Sequence, residues 1–332
     1  MTSQTPFLSI IVPARTRTDP QLRRFLASVE KQDYPKNRME VLVVTEGNSE
    51  QAKAIGIQRS CGDILGFFCA DNEMRDTNFL TGMVWYASQP GFTGAYTAQY
   101  DHVRTDKPLS RYFALLGAND PLCWWLNRAD RQSYLHKPFV GCVDFNSMLP
   151  LVRLPSIGDN GFFIKRSALA KVTINPDTHF PMDVCVDLRA AGESTYWITP
   201  FKLWHRSGEN FFGYFRRRYV YTRELYFKQR EKRRWHMVER GDWLRVLLFC
   251  AASVCVVPHL WVSLRGFRSS RDPAWFLHPV VSLGCTFLYA ICFIRWGLKR
   301  RSSSPASTGA TASTAAWQVS GNRPVRTLKP LS

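Results

Sequence analysis

Apolar residues open the chain in short continuous runs separated by amphipathic segments. Phe7–Val12 (FLSIIV), Met39–Val44 (MEVLVV) and Ile64–Cys69 (ILGFFC) are of strand length and lack polar alternation, as expected of strands covered on both faces. Asp19–Gln32 places Leu22, Phe25, Leu26 and Val29 on one face and Arg23, Arg24 and Lys31 on the other, a helical period. Gln51–Ser60 reads as a second helix. Strands and helices alternating at this rhythm predict an α/β domain with a parallel, doubly wound sheet. Ligands of such sheets bind beyond the carboxyl ends of the strands, where this chain carries Arg15, Thr45, Glu46, Asp71, Asn72 and Glu73.

From Gly94 to Leu154 Gly and Pro breaks and many aromatics leave no readable period. Beyond it, Gly161–Ile164 reads as a strand, Ser167–Val172 as a helix start and Val184–Ala191 as a helix, with Tyr196–Ile198 and Phe201–Trp204 as short strands. Two apolar stretches follow, Leu244–Leu264 and Phe276–Leu298, each about the length of a bilayer crossing. Trp243, Trp261, Trp275 and Trp296 flank them like interfacial anchors. A transmembrane hairpin is expected, with Arg265–Trp275 as the loop across the membrane; a shallow re-entrant pair or buried core helices are the alternative. The Ser/Thr/Ala/Pro-rich remainder, 299–332, is expected to be disordered.

Charge sharpens this picture. The chain of 332 residues carries a formal net charge of +18, and residues 202–245 are crowded with Arg and Lys immediately before the most apolar part. That position favours an anionic membrane surface or phosphorylated substrates over nucleic acid. Nine cysteines without a Cys-x-x-Cys pair argue against a zinc site and for reduced thiols in a cytoplasmic setting.

The third strand exits through Phe67-Phe68-Cys69-Ala70-Asp71-Asn72-Glu73. A carboxylate at a strand exit is well placed to hold a hard divalent cation. Here the chain resembles the family-2 inverting glycosyltransferases of the GT-A fold, whose strand Phe-Leu-Asp-Ala-Asp ends in a metal-binding Asp-x-Asp. Asp71 stands at the second Asp and Cys69 at the first. Ile10-Ile11-Val12-Pro13 matches the family's opening strand, Val43-Val44-Thr45-Glu46-Gly47 its Val-Asp-Asp-Gly, and Ala52-Lys53-Ala54-Ile55-Gly56-Ile57 its Ala-Arg-Asn-x-Gly-Ile. Phe180–Leu188 is similar to the segment Glu-Asp-x-Asp-Leu that delivers the family's catalytic base.

The resemblance implies a GT-A three-layer, mostly parallel sheet over 1–210; the charge and hydropathy beyond it predict a basic interfacial helix (211–242), the membrane hairpin (243–298) and the tail. The resemblance also implies a nucleotide-sugar donor contacted by Pro13, Arg15, Thr45, Glu46, Lys53 and Asp71. Asp71, Glu73 and His205 are the expected holders of Mg²⁺ or Mn²⁺. Asp183 is the expected base, with Asp187 second; capping the helix is the competing role of Asp183. Arg216, Arg217 and Arg218 are expected at phosphate or lipid headgroups, or else as a positive flank of the membrane segment. The expected acceptor is a lipid-linked or cell-surface glycan, the protein being anchored in the membrane with its catalytic domain in the cytoplasm. A nucleotidyltransferase on a similar sheet is the enzymatic rival, although residues 13–20 hold no Gly for a phosphate loop. A non-enzymatic basic membrane scaffold is the third reading.

Overall fold

The computed structural model describes residues 5–147, 153–206 and 210–302. The expected strands and helices of the first hundred residues form: β1 (Leu8–Pro13), α1 (Pro20–Glu30), β2 (Met39–Val44), α2 (Ser49–Arg59), β3 (Ile64–Phe67), a two-residue β4 (Asn72–Glu73) and α3 (Phe79–Ser88). Asp19 caps α1 by accepting the Gln21 N–H. Asn48 and Gln51 close a capping box on α2, which fixes where each helix leaves the strand before it. The chain continues through β5 (Gly94–Asp101), α4 (Pro108–Leu116), α5 (Pro121–Trp125), β6 (Gly141–Asp144), β7 (Phe162–Lys165), α6 (Arg166–Leu169), α7 (Pro181–Ala190) and β8 (Thr195–His205).

Strand order is β2-β1-β3-β7-β5-β8-β4, with β6 on β8. The sheet is mixed, not mostly parallel. β1 runs parallel to β2 and β3, and β5 to β8, while β7 is antiparallel to both its neighbours and β4 and β6 are antiparallel to β8. The reason is connectivity: β7 arrives after the long irregular stretch and inserts between β3 and β5, so its direction is not set by a strand–helix–strand crossover. The two expected short strands near the end are one continuous β8. Gly94 lets β5 meet β7, since a Cβ there would lie 2.1 Å from the Phe163 carbonyl oxygen.

Alternation along β1 divides the core. Leu8, Ile10 and Val12 face α1 and α3 with Leu22, Phe25, Phe79 and Met83, and Ile11 faces the opposite side with Ile57 of α2 and Val184, Cys185 and Leu188 of α7. The three-layer arrangement follows from that period-2 pattern.

The basic segment departs from expectation. α8 (Phe211–Tyr221) passes into a π-helical turn at Thr222–Lys228 and a 3₁₀ turn at Arg230–Lys232. Trp235 and Met237 are buried in the core beside α7, so 222–238 does not lie along a surface as one interfacial helix. The first apolar stretch is also not one straight span. It forms α9 (Trp243–Cys255) and α10 (Val257–Ser270), bent 84° at a break where Val256 takes φ 66° just ahead of Pro258. A proline there removes a helical N–H and clashes with the preceding turn. α11 (His278–Ser302) follows a 3₁₀ turn, and Pro273–Trp296 is long and apolar enough to cross a membrane. The helix carries the described chain to Ser302; the remainder of the expected tail lies outside the described residues. Compact packing divides the chain at Phe293 and Ile294, and the second unit is described only as the end of α11.

Candidate active site

The short β4 decides which residues meet beyond β3. Its antiparallel pairing sets Asn72 opposite His205 and Glu73 opposite Trp204, and this register brings His205 Nε2 to 3.2 Å from Asp71 Oδ2. The Arg206 N–H donates to the Asp71 carbonyl at 2.9 Å. Asn72 is buried beneath the turn, accepting the Cys69 N–H at 2.8 Å and donating to Asn160 at 3.1 Å. Burial pushes the Asp71 carboxyl up, but His205, its hydrogen bond and the charge of Arg217 outweigh this and hold it below the usual carboxylate range. Burial disfavours the His205 imidazolium, yet Asp71 raises its pKa. Among the described residues, Asp71 Oδ1 is buried and without a hydrogen-bond partner. A carboxylate oxygen in that state is incomplete, since buried polar atoms are nearly always satisfied. Glu73 does not join the pair; its Oε2 lies 3.5 Å from Arg206. Among the described residues no group of three or more His, Cys, Asp or Glu side chains is arranged to hold a metal ion.

Beside this pair the chain builds a second ionic group that sequence alone did not reveal. Lys53 is buried, with Nζ 2.6 Å from Asp159 and 3.2 Å from Glu50. Burial disfavours its charge, but the two carboxylates outweigh this and raise its pKa. The ammonium expected at phosphate is therefore already engaged by two carboxylates. Cys69 Sγ sits 3.6 Å from Asp159, and burial with that carboxylate keeps it a thiol. Asp159 thus brings a carboxylate to the strand end where Cys69 has none. Its one sequence signal is the Gly-Asp-Asn-Gly turn at 158–161, which precedes β7. Pro13, Arg15, Thr45 and Glu46 lie along the carboxyl edge of β1 and β2; the last three are exposed, and Glu46 is paired with Arg59 at 2.7 Å.

Asp183 does not cap α7. The N-cap is Phe180, and Asp183 turns to the segment after α8. Its Oδ1 accepts the N–H groups of Arg234 at 3.0 Å and Trp235 at 2.8 Å, and Oδ2 faces Arg233 at 3.3 Å. Its side chain is 0% exposed. Asp187, one turn on, pairs with Arg234 at 2.5 Å. Among the described residues, the buried Nε of Arg233 and the buried Nδ1 of His179 have no hydrogen-bond partner.

The three arginines of α8 separate. Arg216 and Arg217 are exposed, and the charge of Arg217 acts on both Asp71 and His205. Arg218 instead points inward to an ion pair with Asp120 and a 2.9 Å bond to the Tyr289 hydroxyl. It is a structural cation, spent before any headgroup or phosphate arrives.

No family model matches the chain. Over 60 residues it is 40% identical to the glycosyltransferase AglE of Haloferax volcanii, a match spanning 18% of this chain and only 19% of that protein. Solved structures with some likeness include the mannosyltransferase PcManGT from Pyrobaculum calidifontis with GDP-Man and Mn²⁺ (14% identity, 87% of each chain, TM-score 0.48). Another is S. aureus TarS with UDP-GlcNAc (13% identity, 83% of this chain and 90% of that chain, TM-score 0.41). In its ordered strand-end motifs and in this stretch of shared sequence, the chain resembles the glycosyltransferases, consistent with family 2 and the GT-A fold.

Proposed function

We propose that the chain is a membrane-associated glycosyltransferase that moves a sugar from a nucleotide-sugar donor to a lipid-linked or cell-surface glycan acceptor, inverting the anomeric carbon. The observation that carries this reading is Asp71: a carboxylate at the carboxyl end of the sheet, one oxygen on His205, the other buried and without a partner among the described residues. Asp71 and His205 fit as the protein's share of a divalent-cation site whose other oxygens come from the donor diphosphate. The imidazole suits Mn²⁺ better than Mg²⁺. When bound, the cation neutralises charge that builds on the departing diphosphate.

The protein's own side chains supply the rest. Arg217, whose charge already reaches the Asp71–His205 pair, steadies the diphosphate from α8. In the single displacement, the acceptor oxygen bonds to the anomeric carbon as the bond to the diphosphate oxygen breaks. The electron pair leaves on the diphosphate, and the acceptor proton passes to the Asp183 carboxylate. Asp183 is covered by the Arg233–Trp235 segment, so it takes that role in an acceptor-bound state in which the segment has withdrawn. The irregular helical turns leading into the segment, and Arg233 Nε, buried without a partner among the described residues, support such a state. α8 also holds Phe212, 78% exposed, so the helix that bears Arg217 presents apolar surface suited to a membrane-borne acceptor.

The purified full chain in detergent tests this directly. A nucleoside diphosphate with Mn²⁺ at a hundredfold its Kd is expected to stabilise the fold by about 2.7 kcal/mol, and the matching nucleotide-sugar to be slowly hydrolysed. No stabilisation and no hydrolysis with any common nucleotide-sugar would leave a scaffold as the better reading. Two arginine variants divide the roles on α8. Arg217→Ala weakens nucleotide binding with little loss of stability. Arg218→Ala, which leaves buried Asp120 without its cation, lowers unfolding free energy by about 3–5 kcal/mol, read from denaturant midpoints.

A further inference from the structure

We infer that α9, α10 and the start of α11 attach the protein to a single leaflet of a bilayer without crossing it, so that the chain as far as Phe293 lies on one side. Four observations carry this.

Length is the first. α9 has 13 residues and α10 has 14, which at 1.5 Å per residue makes about 20 Å each. Bent at 84°, neither crosses a hydrocarbon core of about 30 Å.

Second, both ends of this pair are tied to the same α/β domain. At the start of α9, Arg245 donates to the Trp125 carbonyl at 2.7 Å, and the Trp125 indole donates to the Arg245 carbonyl at 3.0 Å. At the far end of α10, Ser269 donates to the Tyr134 carbonyl at 2.6 Å, Arg104 to the Arg271 carbonyl at 3.0 Å, and Arg111 pairs with Asp272 at 3.1 Å. The segment expected across the membrane is therefore bound to the domain from which α9 set out.

Third, the helices are fastened inward by a buried polar chain. Ser253 of α9 meets His259 Nε2 of α10 at 3.0 Å, His259 Nδ1 meets His278 Nε2 of α11 at 3.0 Å, and His278 Nδ1 meets the Tyr112 hydroxyl of α4 at 2.7 Å. Further along α11, Tyr289 bonds Arg218 and Asp120. Tyr289 lies about 16 Å beyond the start of α11 at the helical rise, so over half a bilayer's depth one face of this helix is bound to polar groups of the α/β domain. Were α11 to cross, the exposed Arg216 and Arg217 of neighbouring α8 would be drawn into hydrocarbon, which strongly disfavours charged side chains.

Fourth, the outward faces are apolar. Leu244 (69%), Leu247 (64%), Val254 (70%), Val257 (69%), Trp261 (58%) and Phe287 (59%) are exposed. Exposed Arg265, Arg268 and Arg271 stand at the end of α10, complementary to anionic headgroups. A second copy of the chain would bring these like charges together, which favours lipid as the occupant. Apolar faces on bent, docked helices with a basic edge match an in-plane attachment.

Labelling with a membrane-impermeant maleimide in right-side-out and inverted vesicles tests the topology of the full chain. Native Cys61 reports the α/β domain. Arg268→Cys, in a background with Cys61→Ser and Cys142→Ser, reports the end of α10, and a peptide tag after Ser332 reports the C-terminus by protease access. All three reporters are expected to react from the same side, with exposed Cys255 at the elbow labelled only after detergent. Arg268→Cys reacting from the opposite side would restore the hairpin. A tag reached only from the opposite side would make α11 a true span, and recovery of the chain in the soluble fraction would remove the membrane. Each of these overturns the inference. Topology can be read in Asp71→Asn as well, so this result and the assignment of the cleft stand or fall separately.

Discussion

Asp71→Asn is expected to lower turnover by about two to three orders of magnitude, the usual cost of removing one preorganised stabiliser of developing charge. The amide keeps the size of the side chain and still meets His205, so the strand exit and the β4–β8 pairing that delivers His205 should survive. What is lost is the negative charge that draws a cation to the buried Oδ1 position. Mn²⁺-dependent stabilisation by nucleoside diphosphate should disappear together with turnover, while circular dichroism and the melting curve of the free protein stay close to wild type. His205→Asn should follow the same pattern more weakly, because a second ligand is removed and the carboxylate remains. Near wild-type rates in Asp71→Asn, or wild-type turnover in the presence of a chelator, would show that the buried Oδ1 atom has another purpose.

The second large effect is expected at Asp183. Loss of a positioned general base typically costs about 10²–10⁴ in rate. Asp183→Asn keeps an acceptor for the Arg234 and Trp235 N–H groups but leaves Arg233 without its carboxylate. A base role predicts collapsed turnover with donor affinity unchanged. A purely anchoring role predicts a different signature: unfolding free energy falls by about 3–5 kcal/mol, as when one partner of a buried ion pair is removed, and the protein that remains folded turns over normally. Comparing rate per folded molecule with the denaturant midpoint separates the two. Asp187→Asn, which disturbs only the partly exposed pair with Arg234, should be much milder on both measures. A product that retains the donor's anomeric configuration would sink the single displacement altogether.

Much of this protein was legible in one dimension. The strands β1, β2 and β3, helices α1 and α2, and the placement of Asp71 at a strand exit all follow from local signals: continuous apolar runs, a 3.6-residue period, capping residues and a carboxylate after an apolar run. These are short-range properties, and nothing later in the chain overrides them. The direction of β7, by contrast, depends on where a long aperiodic segment returns, and no periodicity in the segment itself encodes it. His205 was visible as a candidate, but its contact with Asp71 exists only through the β4–β8 register. Glu73, two residues on and expected as a helper to Asp71, is drawn to Arg206 instead.

Tertiary structure alone decided the rest, because charge and hydropathy do not reveal which partner a side chain will meet. Arg216, Arg217 and Arg218 are identical letters in a row; helical rotation sends Arg218 inward to Asp120 and leaves its neighbours outside. Lys53 and Asp159 lie far apart in sequence and meet only when α2 and the turn before β7 converge. The stretch Leu244–Leu264 has the composition of a membrane span. Its elbow at Val256–Pro258 and the contacts of Asp272 and His278 with the α/β domain bend that composition into a surface. Hydropathy records how much a segment gains by leaving water, and only the fold determines whether protein or lipid receives each face.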